Sequence, residues 1–225
     1  MKTLLCASTA LALSAALATP AMAQVNGIGV SDPAIVVASS QALQTSYAQI
    51  ATTFATQRTQ LDQLQQQRDT LMRPFDTDGD GQLNEIEQAA VQANATALQQ
   101  VQAVEVQLAQ VQQPITAARA YAIEQISQQL GAAVQQVVAA NNVSLVVAPN
   151  VVVWMAEAVD LTDEIAAALN GLVPTVSTTP PQGWQPQRST VDLYQQVQQI
   201  LLAAAVQQAQ QQQAQPPAAA PAQGR

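Results

Sequence analysis

Leu43, Tyr47, Ile50, Phe54, Gln57, Leu61, Leu64, Arg68 and Leu71 follow one another at steps of 4, 3, 4, 3, 4, 3, 4 and 3 residues. This heptad spacing keeps one stripe on a single side of a helix, and the stripe must find a partner helix. Gln57 and Arg68 are polar interruptions that weaken the seam and can fix its register. Ser39 or Ser40 is placed to cap the helix start, and Pro74 disfavours helix at Arg73, so one helix is predicted over 40–73. A second helical stretch, 85–140, carries Leu98, Val101, Val104, Leu108, Val111, Ile115, Ala118 and Ala122 at steps of 3 or 4. Two such helices joined by a short loop predict an antiparallel helical hairpin, an arm over 39–140. At 1.5 Å per residue the second stretch is longer by roughly 30 Å, so its C-terminal part is expected to pack on a body. Pro114 is expected to kink it near the base of the arm.

The segments flanking the arm, 24–38 and 141–173, supply that body. Ile35–Ala38, and a shorter piece at Ile28–Val30, read as strands from their β-branched residues. Val143–Val147 and Val151–Met155 around Pro149-Asn150 read as a β-hairpin, with Trp154 a core or interface anchor. Asp160-Leu161-Thr162-Asp163 opens a short helix, about 163–169, ended by Asn170-Gly171. So few strands bury too little apolar area for one chain, and an oligomer pooling strands is the natural solution. Residues 174–225 read as a Pro-, Gln- and Ala-rich tail. Within it, Pro174–Arg188 is a linker by composition, a helix is expected at 190–213, and the last dozen residues are expected to be disordered. The fold class is therefore mainly α with a small β body.

Between the two helices, Asp76-Thr77-Asp78-Gly79-Asp80-Gly81-Gln82-Leu83-Asn84-Glu85-Ile86-Glu87 forms a complete twelve-residue EF-hand loop. Ca²⁺ is a hard cation that takes several carboxylates and a carbonyl. Asp76, Asp78 and Asp80 stand at positions 1, 3 and 5, and Gln82 offers its backbone carbonyl at position 7. Asn84 ligates directly or through water at position 9, and Glu87 gives both oxygens at position 12. Gly81 at position 6 permits the sharp turn. An EF-hand loop without a second one beside it is expected to brace the arm tip structurally.

Other chemistry is sparse. The chain has no His, and its one Cys is Cys6. Met1–Ala23 has a lysine, a short apolar run, Pro20 and an Ala-Met-Ala end, the pattern of a cleaved export signal, so the mature chain starts at Gln24. It then contains neither Cys nor His, which excludes disulfides, thiol or His catalysis and the common zinc sites. Asp160, Asp163 and Glu164 read as a helix cap and dipole partners, and Ser39 and Ser40 have no His to activate them, so no enzyme is expected. The whole chain carries −8, and losing Lys2 leaves six Arg against fifteen acidic residues, 6 − 15 = −9. That balance argues against nucleic acid as a partner. No second long apolar run follows, so export without membrane insertion is expected, to the periplasm or cell surface in a two-membrane bacterium.

The order of segments resembles the Skp/OmpH family of periplasmic chaperones. The resemblance rests on AIVVASSQALQTSYAQ (Ala34–Gln49) running into a long hairpin, then SLVVAPNVVVWMAEAVDLTDEIAAALNGL (Ser144–Leu172), and spans roughly residues 28–173. It implies a homotrimer whose strands form a small central barrel and whose three arms enclose a cavity. It also implies ATP-independent holding of unfolded outer-membrane proteins. The acidic, lysine-free mature chain, the EF-hand loop and the tail after Pro174 depart from the family pattern. The alternative is an exported calcium-binding protein that uses the coiled coil as a spacer or envelope linker.

Overall fold

The structure, a computed structural model, describes residues 27–214. The export signal with its cleavage after Ala23, and the last residues of the tail, lie outside them.

Strand β1 (Ile28–Val30) leads through Ser31 into helix α1 (Pro33–Ser39). Here the expected strand at Ile35–Ala38 is corrected to helix. Asp32 Oδ1 accepts the amides of Ala34 at 2.8 Å and Ile35 at 3.2 Å, and Pro33 occupies the first turn. A cap plus an N-terminal proline starts a helix whatever the β-preference of the residues that follow. Ala34, Val36, Val37 and Ala38 are then buried.

Ser40 caps helix α2 (Gln41–Thr53), its Oγ accepting from the Leu43 amide. The predicted single helix is two, because the chain breaks at Phe54 before helix α3 (Ala55–Met72). The Phe54 amide is shared between the carbonyls of Ile50 and Thr52. Helix ends at Met72 and a 3₁₀ turn, Arg73–Phe75, carries Pro74, close to the predicted stop.

The return limb is three helices where one was expected: α4 (Glu85–Ala93), α5 (Ala95–Ser127) and α6 (Leu130–Asn141). Asn94 starts α5 by accepting the Ala97 amide at 3.0 Å. Helix α5 runs on through Pro114. The seam is the predicted one. Ile50, Ile115 and Ala118 form one buried cluster with Tyr47, Phe54 and Leu61 around it. Leu64, Val104 and Leu108 form a second, flanked by Leu71 and Val111. Arg68, a polar seam position, reaches across to Glu105 at 3.7 Å. That pair is half exposed and is worth no more than about 1 kcal/mol.

The longer limb does pack on a body. Ile123, Ile126, Ala133 and Val137 join Val36, Val37, Leu43, Ile165 and Leu169 in the main core. Strand β2 (Leu145–Val147) pairs in parallel with β1, Gly29 opposite Val146. The expected β-hairpin is corrected: Pro149–Val151 is a 3₁₀ turn, and Val151–Met155 is not a strand. β1 takes one edge of β2, Val30 also bridges Asp160, and no described strand pairs with the other edge. Asp160 Oδ1 then accepts the Thr162 amide at 3.0 Å and opens helix α7 (Thr162–Leu172), longer than expected, with Asn170-Gly171 inside it.

Residues 174–214 carry more structure than their composition suggests. Helix α8 (Arg188–Ala214) matches the expected helix, and Val197 is fully buried in the main core. Residues 174–188 are not a free linker, since Thr178 is buried and Ser177 and Trp184 bond to α5.

Candidate functional site

The twelve-residue loop joins α3 to α4 at the far end of the arm. Gly79 and Gly81 sit at φ +73° and +79°, left-handed conformations that favour glycine. Asp76 accepts the amides of Gly79 at 2.8 Å and Gly81 at 3.0 Å, which folds the loop back on its first residue. Asp80 accepts the Gln82 amide at 2.7 Å, and Asp78 accepts from Asp80 N and Asn84 Nδ2. Asp76, Asp78 and Asp80 each bring a carboxylate oxygen within 4.8 Å of the others.

Asn84 and Glu87 serve the exit helix as well. Asn84 caps α4 by accepting from Ile86 and Glu87, and Glu87 reaches back to the Asn84 amide at 3.0 Å, a capping box. Glu87 Oε1 also accepts from the Thr77 amide and hydroxyl, both at 2.6 Å. The Thr77 hydroxyl first, then the backbone amides of Asn84 and Thr77, hold the Glu87 carboxyl below its ordinary value. Glu87 is 2% exposed, and its two oxygens are taken by Thr77 and Asn84, outside the group of three aspartates. Thr77 is a residue that ligand counting misses, because position 2 donates nothing to a metal.

The donor set fits a hard cation: the three clustered aspartates, the Glu87 carboxylate, the Asn84 amide and the Gln82 carbonyl are all oxygen ligands. Among the described residues, Asp76, Asp78 and Asp80 are the one group of acidic side chains so clustered. A cavity of about 500 Å³ lies beside them, lined by Arg68, Arg73, Asp76 and Glu105 among others.

A second surface lies on the body. Leu145 is 53%, Val151 70%, Val153 104% and Trp154 81% exposed. Trp154 is therefore not a core residue of the single chain. Val151, Val153 and Trp154 follow β2 in the chain, no described strand pairs with its other edge, and exposed large apolar side chains beside an open sheet edge mark a candidate interaction surface. No described helix is long and apolar enough to cross a membrane.

A two-stranded body with a long helical hairpin defines a class of arm-bearing helical proteins. Residues 27–169 match the family described as Outer membrane protein (OmpH-like), and the chain belongs to that family. A crystal structure of a putative outer membrane chaperone (OmpH-like) from Caulobacter crescentus CB15 is similar at 23% identity with a TM-score of 0.39. That similarity covers 67% of this chain and 88% of that one. A search of curated proteins finds no match.

Proposed function

We propose that this chain is an ATP-independent periplasmic holdase chaperone that binds unfolded outer-membrane proteins as a homotrimer, with Ca²⁺ held in its arm. Family membership supports the chaperone role. The exposed apolar edge from Leu145 to Trp154 carries the trimer reading, because three copies that pool this edge bury what one leaves open. Mixed Ala, Val, Leu and Gln surfaces on the arms suit loose holding of many extended chains. Asp76, Asp78, Asp80, Gln82, Asn84 and Glu87 are the proposed ligands. The cation offsets the mutual repulsion of five acids and stiffens the arm tip. Extracytoplasmic modules of this kind bind at about 10⁻⁴–10⁻³ M.

A second reading, an exported calcium-binding spacer, is favoured by the completeness of the loop. One pair of experiments separates the two. Near-stoichiometric amounts of a holdase suppress aggregation of an unfolded outer-membrane β-barrel protein on dilution from denaturant, and a spacer leaves it aggregating. Light scattering with and without millimolar Ca²⁺ gives the mass: a trimer in both supports the pooled edge, and a folded monomer in both overturns it.

A further inference from the structure

We propose that residues 177–201 form a strap that latches the base of the arm to the body, with the Glu124 carboxylate as the latch. The strap lies beyond the residues that match the family, 27–169. It touches both limbs of the hairpin. On α5, Trp184 Nε1 donates to Glu124 Oε1 at 3.1 Å, and Thr190 Oγ1 donates to Glu124 Oε2 at 2.8 Å. The Trp184 ring meets Tyr121 edge-on at 5.2 Å. Gln125 brackets Ser177, donating to its carbonyl at 2.8 Å and accepting its amide at 3.1 Å. On α2, Gln198 Nε2 donates to the Tyr47 hydroxyl at 2.8 Å. Val197 is fully buried and Leu193 packs beside it on the main core.

The chemistry of Glu124 makes this contact a latch. Glu124 is 8% exposed, yet no cation lies within ion-pair distance of it among the described residues. Its desolvation is offset by hydrogen-bond donors from the strap, one to each oxygen. When the strap is on, both oxygens are satisfied; when it lifts, water takes the same places. Neither state orphans the charge, so lifting costs only the strap's own contacts. With the strap on, α1, α2 and α5 are held together at the base of the arm. With it off, the apolar face under Leu193 and Val197 is bared and the base is freed.

Trypsin reads the latch directly. Between residues 24 and 225 the chain has no lysine, and Arg188 lies inside the strap while Arg58 and Arg68 lie on the arm. In the full chain, Glu124→Ala is expected to speed cleavage after Arg188 by about tenfold or more, with Arg58 and Arg68 cut at the native rate. Glu124→Gln, which keeps an acceptor, is expected to fall between. If Glu124→Ala does not fold, Trp184→Phe combined with Thr190→Val removes the two donors and decides in its place. Unchanged cleavage after Arg188 overturns the latch. So does acceleration at all three sites together, which would make Glu124 a global stability residue.

Discussion

Glu87 carries the tightest set of contacts in the acidic loop between α3 and α4, so its chemistry is where a residue-scale change is most visible. Its hydrogen bonds favour the ionised form and depress its folded pKa. A depressed carboxylate contributes stability above its unfolded value, and that contribution is lost as pH falls through the folded pKa. In metal-free protein, the protection factors of the Thr77 and Asn84 amides, measured against the unstructured chain at the same pH, are therefore expected to fall as pH is lowered through the depressed Glu87 pKa. Glu87→Gln keeps the shape of the capping box and removes one charge from the ligand set. It is expected to weaken Ca²⁺ binding by about tenfold or more, read by titration calorimetry. Gly29 is constrained by space, since a Cβ there would lie 3.1 Å from Leu161 Cγ and closer still to Leu161 Cδ1. Gly29→Ala is expected to cost about 1–3 kcal/mol in denaturant unfolding.

At the scale of elements, the arm is legible because its periodicity is local and its partner is adjacent in the chain. Ile50, Leu64, Val104, Leu108 and Ile115 are buried as their spacing predicts. The breaks are less so. Phe54 continues the heptad, and nothing in its neighbours announces an interruption, whereas Asn94 is a helix cap that reads only after the break is known. Pro114 sits inside α5 without ending it, and it leaves the Gln110 carbonyl without the amide donor four residues on. Pro114→Ala restores that bond and is expected to stabilise the protein by about 1–3 kcal/mol, measured as a raised denaturation midpoint. The helix at Pro33–Ser39 reads as a strand because Ile35, Val36 and Val37 are good strand formers. Asp32-Pro33 decides it, since capping and a preset φ outweigh a weak propensity.

For the whole molecule, the main core draws on α1, α2, α5, α6, α7 and the first half of α8, so segments from before and after the arm close on its base. Substituting a residue at this junction acts on several elements together. Ile123→Ala, at a fully buried position, is expected to cost about 2–5 kcal/mol, and to lower the unfolding midpoint by calorimetry in step. The apolar edge behaves differently, because Val153 and Trp154 support nothing within the single chain. On the trimer proposed above, Val153→Ser with Trp154→Ser is expected to lower the mass seen in light scattering while leaving the helical circular dichroism intact.

The sequence alone determined the hairpin, the position of the acidic turn between its limbs, and the helix at Arg188–Ala214. Each depends on contacts within one turn or on a repeat, and both are written in nearest-neighbour spacing. The tertiary structure decided the rest. Val143–Val147 and Val151–Met155 look like two strands of a hairpin, yet β2 pairs with β1, which comes from the opposite end of the body. Pro, Gln and Thr in 174–188 look like a linker, yet Ser177 meets Gln125 fifty-two residues away and Trp184 meets a buried carboxylate sixty residues away. Strand partners and the cost of a buried charge are settled by groups far apart in the chain, and no local pattern records which of them will meet.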